Sequence, residues 1–142
     1  MRVLFLDIDG VLNHESTGAY FEGEKVEILN KILTTTDANL VVTSTWRLGA
    51  TPAEMDQMLA SQGVIPGRVI GVTPYLDDQR GQEIQEWLRE WAQRYEVDKI
   101  VILDDRNDLE PLDNVLVRTT KTIGLTEQEA NLAIQYLNSP SD

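Results

Sequence analysis

Three short runs of Val, Ile, Leu and Phe, spread along the chain, restrict its fold more than any other feature. They are Val3 to Leu6, Leu40 to Val42 and Ile100 to Leu103, and none alternates with polar residues. A strand that is apolar on both sides has to be covered on both sides, which is the condition of a parallel sheet sandwiched between helices. Shorter runs at Val69 to Val72 and Val115 to Val117 predict two further strands.

Helical patterns lie between these runs. In "RGQEIQEWLREWAQRY", Ile84, Trp87, Leu88, Trp91 and Tyr95 recur at helical spacing and place both tryptophans in the core. "GEKVEILNKIL" repeats the pattern with Val26, Leu29, Ile32 and Leu33. "TPAEMDQMLASQG" opens on Thr51, Pro52 and Glu54, the residues of a capping box and first turn, and ends at Gly63. Thr126 and Glu129 make the same start signal before Leu132, Ala133, Tyr136 and Leu137. The expected order is β-α-β-α-β-α-β-α-β-α, a doubly wound α/β sheet of about five strands in one domain over residues 1–138, with a frayed tail at 139–142.

Composition narrows the function. The 142 residues carry 24 acidic and 12 basic side chains, a formal charge of −12, which opposes broad attraction to nucleic acid or to an anionic membrane. The absence of cysteine removes disulfides and thiolate metal sites. The opening apolar run meets Asp7 too soon for a signal segment or a membrane span, so a cytoplasmic setting is expected. Neither a Walker loop nor a GxGxxG is present.

The chemistry sits where the strands stop. The first run ends in Asp7 and Asp9, the second in "TSTWR" (Thr43 to Arg47) and the third in "DDRND" (Asp104 to Asp108). Residues just past the carboxyl ends of parallel strands gather in one crevice. Asp7 and Asp9, if the strand continued, would point to one side about 6–7 Å apart at Cα. With Asp104 and Asp105 they would repel one another unless a cation were bound, and oxygen ligands without His or Cys favour Mg²⁺. Each residue also has a plainer use. A lone aspartate at a strand end is a common turn former, Thr43 and Ser44 suit a turn equally well, and Arg47 suits either a surface ion pair or a substrate contact. Asp77 and Asp78 read as solvated loop residues, and His14 is left without a role.

Together, "DIDGVL" at 7–12, the hydroxyl after the second strand, Arg80 opening a helix and "DD" at 104–105 resemble the four motifs of the haloacid dehalogenase (HAD) superfamily. "FLDIDGVLN", "TSTWR", "RGQEIQEWL", "ILDD" and "GLT" further resemble the small HAD domains of Swiss Army Knife RNA repair proteins. The resemblance implies a phosphatase in which Asp7 is the nucleophile and Asp9 the general acid and base. It implies that Thr43, or Ser44 in its place, hydrogen-bonds the phosphoryl group and that Arg80 neutralises charge. Asp7, Asp9, the backbone carbonyl of Ile8, Asp104 and Asp105 would hold Mg²⁺, with Asp108 joining through water. Neither residues 11–25 nor 48–79 have room for the cap domain of many relatives, so a large substrate such as a phosphorylated nucleic-acid end is admissible, as is a nucleotide or other small phosphate. "DDR" at 104–106 also resembles a stretch of polynucleotide 3′-phosphatases. Arg47, Arg106 and Lys121 are the candidate contacts to such an end. A noncatalytic module of the same fold is the remaining alternative.

Overall fold

The computed structural model describes residues 1–14, 16–18 and 20–140. Five strands, β1 (Arg2–Leu6), β2 (Asn39–Val42), β3 (Val69–Val72), β4 (Lys99–Asp104) and β5 (Leu116–Arg118), form one parallel sheet in the order β3-β2-β1-β4-β5. Four helices connect and flank them: α1 (Gly23–Thr36), α2 (Pro52–Ser61), α3 (Arg80–Trp91) and α4 (Glu127–Asn138). The chain winds outward from β1 through β2 to β3, then crosses back under α3 to β4. The two directions part beside β1, the place where open α/β sheets bind their ligands.

Alternate residues of each strand serve opposite faces. Leu4, Leu6, Leu40, Val42, Val101 and Leu103 meet α1, α2 and α4 in the larger core. Val3, Phe5, Val41 and Ile102 face α3, where Phe5 meets Trp87 edge-on with ring centroids 5.6 Å apart. Both faces are therefore apolar, which is why the strand sequences do not alternate. The capping boxes at Thr51/Glu54 and Thr126/Glu129 form as the sequence predicts.

The connection between β4 and β5 departs from expectation. In place of a fifth helix it holds a single 3-10 turn at Asp113–Val115. Leu109 is fully buried against the α3 face, and the carbonyls of Leu109 and Glu110 lie so near Gly81 that a Cβ there would meet them at 3.2 and 2.9 Å. This segment covers by itself the sheet surface that a helix would otherwise have covered. Pro111, which cannot donate inside a helix, fits the irregular path. At the start of the tail Ser139 accepts from Lys99 Nζ and donates to the carbonyl of Tyr136, while Ser141 and Asp142 lie outside the described residues.

The two stretches too short for a cap, 11–25 and 48–79, hold none among the described residues. Residues 48–79 contain α2 and β3, both parts of the main layers, so the site above the sheet is uncapped. No helix among the described residues is long and apolar enough to cross a membrane.

Candidate active site

The site follows from strand register. Leu6 of β1 pairs with Val42 of β2 on one side and Leu103 of β4 on the other, so Asp7, Thr43 and Asp104 are the next residues on three adjacent strands. Asp7 N donates to the carbonyl of Leu103 and Thr43 N to that of Leu6, which carries the ladder one step further. All three continue the parity of Phe5, Val41 and Ile102, the residues facing α3. Arg80, the first residue of α3, is therefore delivered to them: its Nη1 lies 2.7 Å from Asp104 Oδ2 and 3.2 Å from Asp7 Oδ1.

Asp105 completes the cluster. Asp7, Asp104 and Asp105 each bring a carboxylate oxygen within 4.8 Å of the others. Three carboxylates against one guanidinium leave two negative charges uncompensated, and Asp7 and Asp104 are almost wholly buried. Asp7 is accordingly pushed up to about 8, first by burial and then by Asp104, with Arg80 pulling the other way. Asp105 is also raised, by burial and by Asp104. A group of hard oxygen donors that would carry two excess negative charges when fully ionised fits a small divalent cation such as Mg²⁺.

Gly10 makes the approach possible. It lies at φ +83°, and a Cβ there would stand 2.4 Å from Asp105 Oδ2, so a side chain is excluded by both conformation and space. Its carbonyl accepts from Thr119 Oγ1 at 2.7 Å, which ties the turn to the end of β5.

The chain bends immediately after Asp7. Val11 N and Leu12 N both donate to the carbonyl of Ile8, at 3.1 and 2.9 Å. Those two bonds occupy the lone pairs of that oxygen, which corrects the assignment of Ile8 as a metal ligand. Asp9 is not among the three clustered carboxylates, which corrects its assignment as a metal ligand through its side chain. Its Oδ2 accepts from Trp46 Nε1 and its Oδ1 from Asn13 Nδ2, each at 3.0 Å.

Thr43 and Ser44 separate in use. Thr43 is fully buried, and its Oγ1 has no hydrogen-bond partner among the described residues. Ser44 Oγ accepts from Trp46 N and caps the turn Thr45–Arg47, leaving its own proton to donate.

Arg47 is corrected more completely. It points inward, where Nε donates to the carbonyl of Thr73, Nη1 to those of Thr43 and Ser44, and Nη2 to that of Pro74. Nη2 also lies 3.1 Å from Glu83 Oε1, with both side chains almost without exposure. Arg47 thus braces the loops after β2 and β3 and is not presented to a substrate. Arg106 is engaged as well. It spans Asp108 and Asp78, donating to both oxygens of Asp108 and to the side chain and carbonyl of Asp78. Asp78 is therefore a partner rather than a merely solvated residue, and Asp108 is held below its ordinary value by Arg106. His14 Nε2 lies 2.7 Å from Glu22 Oε1, and its Nδ1 accepts from Ser16 N.

Beside the carboxylates, a hollow of about 210 Å³ is lined by Asp9, Gly10, Asn13, His14, Gly18, Asp105 and Lys121. A second, of about 450 Å³, shares Asp105 and Lys121 with it and adds Arg118 and Thr119 to Thr122. Sequence reasoning missed Trp46, Asn13 and Arg118. Trp46 sits within the quoted "TSTWR", but nothing local says that its ring reaches the first strand's loop.

The family model for the HAD domain in Swiss Army Knife RNA repair proteins matches residues 3–130, from β1 into α4. The chain belongs to this family. No curated protein matches the chain significantly. The matched range contains Asp7 after β1, Thr43 after β2, Arg80 on α3 and Asp104 closing β4.

Proposed function

We propose that this HAD domain is a Mg²⁺-dependent phosphomonoester hydrolase that works through an aspartyl-phosphate at Asp7, with phosphorylated polynucleotide ends as substrate. The observation that carries the reading is the convergence of Asp7, Asp104 and Asp105 on the single guanidinium of Arg80. A purely structural ion pair needs one carboxylate for one arginine, and the excess burial of charge here would be costly without a ligand.

Asp7, Asp104 and Asp105 would hold the cation, which supplies positive charge against the phosphoryl oxygens and keeps Asp7 ionised. The chain's own groups perform the transfer. Asp7 attacks phosphorus in line as the bond to the leaving oxygen breaks, and Asp9 gives its proton to that oxygen. Water then attacks the aspartyl-phosphate, Asp9 takes its proton, and inorganic phosphate leaves with Asp7 restored. Arg80 balances negative charge on Asp7 and on the phosphoryl group. The Thr43 hydroxyl, buried without a partner, becomes a donor to an equatorial phosphoryl oxygen, where charge accumulates.

The choice of a polynucleotide end is supported by the family description, by the absence of a cap and by the position of Arg118 and Lys121 along the hollow that continues from the site. These local cations stand against a net charge of −12, so attraction is confined to the groove.

The test is hydrolysis of p-nitrophenyl phosphate and of 3′- and 5′-phosphorylated oligonucleotides, with Mg²⁺ and after chelation. Activity is expected only with the metal, and Asp7→Asn is expected to abolish it while the variant stays folded, because the amide is a poor nucleophile of nearly the same shape. Parent-level activity in Asp7→Asn would remove Asp7 as nucleophile. Absence of turnover of every phosphate ester would leave a noncatalytic HAD-like module.

A further inference from the structure

Asp9 is exposed, so water alone would satisfy its carboxylate, yet each of its oxygens takes a hydrogen bond from a different strand-end loop. Trp46 reaches Oδ2 from the turn after β2, and Asn13 reaches Oδ1 from the loop after β1. Both holders are themselves held. Asn13 is buried and accepts from Gly10 N at 2.9 Å through Oδ1. Trp46 is half-buried, packs on Phe21 with centroids 5.6 Å apart, and is anchored through its backbone N to Ser44 Oγ.

The chemistry of the two donors matters as much as their position. An indole N–H and an amide NH₂ carry no charge and donate without competing for a proton. The terminal torsion of an aspartate is otherwise broad and two-fold, so an unheld carboxyl would spend much of its time turned away from its target. Proton transfer requires the acid within about 2.6–3.2 Å of the receiving atom.

We infer that Trp46, with Asn13, is a positioning residue that aims the Asp9 carboxyl at the leaving-group oxygen. The inference rests on the phosphatase reading and on its assignment of Asp9. In the step concerned, the O–H bond of the Asp9 carboxyl breaks and a new O–H bond forms on the leaving oxygen as its bond to phosphorus is lost; water returns a proton to Asp9 in the second half.

Dependence on the leaving group separates aim from packing. p-Nitrophenolate is a stable anion that departs with little help, whereas the alkoxide of a sugar phosphate needs the proton. Trp46→Phe keeps a ring against Phe21 and removes the donor. Asn13→Ser keeps an oxygen acceptor near Gly10 N on a shorter arm and withdraws the amide donor from Asp9. The quantity to measure is kcat/KM, which covers only the steps up to departure of the leaving group. Each variant is expected to lose at least about tenfold on an alkyl phosphate and less than about threefold on p-nitrophenyl phosphate, a part of the 10²–10⁴ that a general acid supplies. In an Asp9→Asn background, Trp46→Phe is expected to add nothing on the alkyl phosphate. Equal losses on both substrates in both variants, or an undiminished further loss in the Asp9→Asn background, would show that Trp46 only packs and would overturn the inference while the phosphatase reading stood. Failure of the parent protein to hydrolyse either ester would overturn that reading first and this inference with it.

Discussion

Replacing Thr43 with Val should make the protein more stable and much less active. The Thr43 hydroxyl is fully buried at the end of β2, and its oxygen has no partner among the described residues. An unpaired buried polar group costs about 1–3 kcal/mol. Valine keeps the branched shape and the strand preference while removing the polar atom, so the lower end of that range, about 1 kcal/mol, is a fair expectation of the gain. With an unfolding entropy of about 2.1 cal/mol/K per residue, a chain of 142 residues shifts its Tm by roughly 3 °C per kcal/mol. Activity should move the other way. A donor aimed at charge that grows in the transition state is worth about 10²–10³ in rate, so kcat/KM for p-nitrophenyl phosphate should fall by that factor. Both quantities come from one preparation, by calorimetry in metal-free buffer and by steady-state kinetics with Mg²⁺. A lower Tm would mean that the hydroxyl already makes a stabilising bond in the free protein. Unchanged kinetics would mean that it never meets the phosphoryl group, and either result refutes the argument.

Without metal, stability should fall as pH rises from about 4 towards 8. The folded state holds the Asp7 proton to about 8 against an ordinary 3.8, so the stabilisation from that bound proton is complete below the lower value and lost as pH rises through the higher one. Mg²⁺ should reverse the loss and raise Tm beyond NaCl of equal ionic strength; identical melting curves in the two salts would mean that the three carboxylates hold no cation. Arg47→Met should destabilise the fold by about 3–5 kcal/mol in urea titrations, because Glu83 is left buried and unpaired, and Arg47→Met/Glu83→Leu should recover much of that loss. If Arg47→Met instead lowered kcat/KM on oligonucleotides alone, at undiminished stability, Arg47 would be a substrate contact after all. Changing Arg118 and Lys121 together to Gln should lower kcat/KM on a phosphorylated oligonucleotide severalfold more than on p-nitrophenyl phosphate, and the difference should shrink as salt rises; equal effects at all salt concentrations would place the polynucleotide elsewhere.

The strands and most helices were legible because periodicity is a property of the chain alone. Runs without alternation require a sheet covered on both faces, and the capping residues at Thr51 and Thr126 mark helix starts wherever the helices pack. Asp7, Thr43, Asp104 and Asp105 were legible because parallel strands gather their carboxyl ends in one crevice, so local position was enough to bring them together, whereas Arg80, which opens α3, was singled out only by the family resemblance. Other expectations depended on information no local pattern contains. The connection between β4 and β5 reads as a place for a helix until Leu109 is seen filling the surface beside Gly81. A carbonyl such as that of Ile8 is indistinguishable from its neighbours until the bend after Asp7 gives it two donors.

The sequence by itself determined the layers, the strand ends and the acidic chemistry gathered there, since hydrophobic pattern and residue type act over a few neighbouring positions. Only the tertiary structure decided the direction of each charged side chain. Arg47 and Arg80 are both arginines near strand ends. One turns into a web of carbonyls and Glu83, while the other reaches Asp7 and Asp104, because the pleat of β1, β2 and β4 puts those two acids on the face where α3 begins. The same dependence governs Trp46 and Asp9, whose contact joins the ends of two strands and exists only once the register of β1 on β2 has been set.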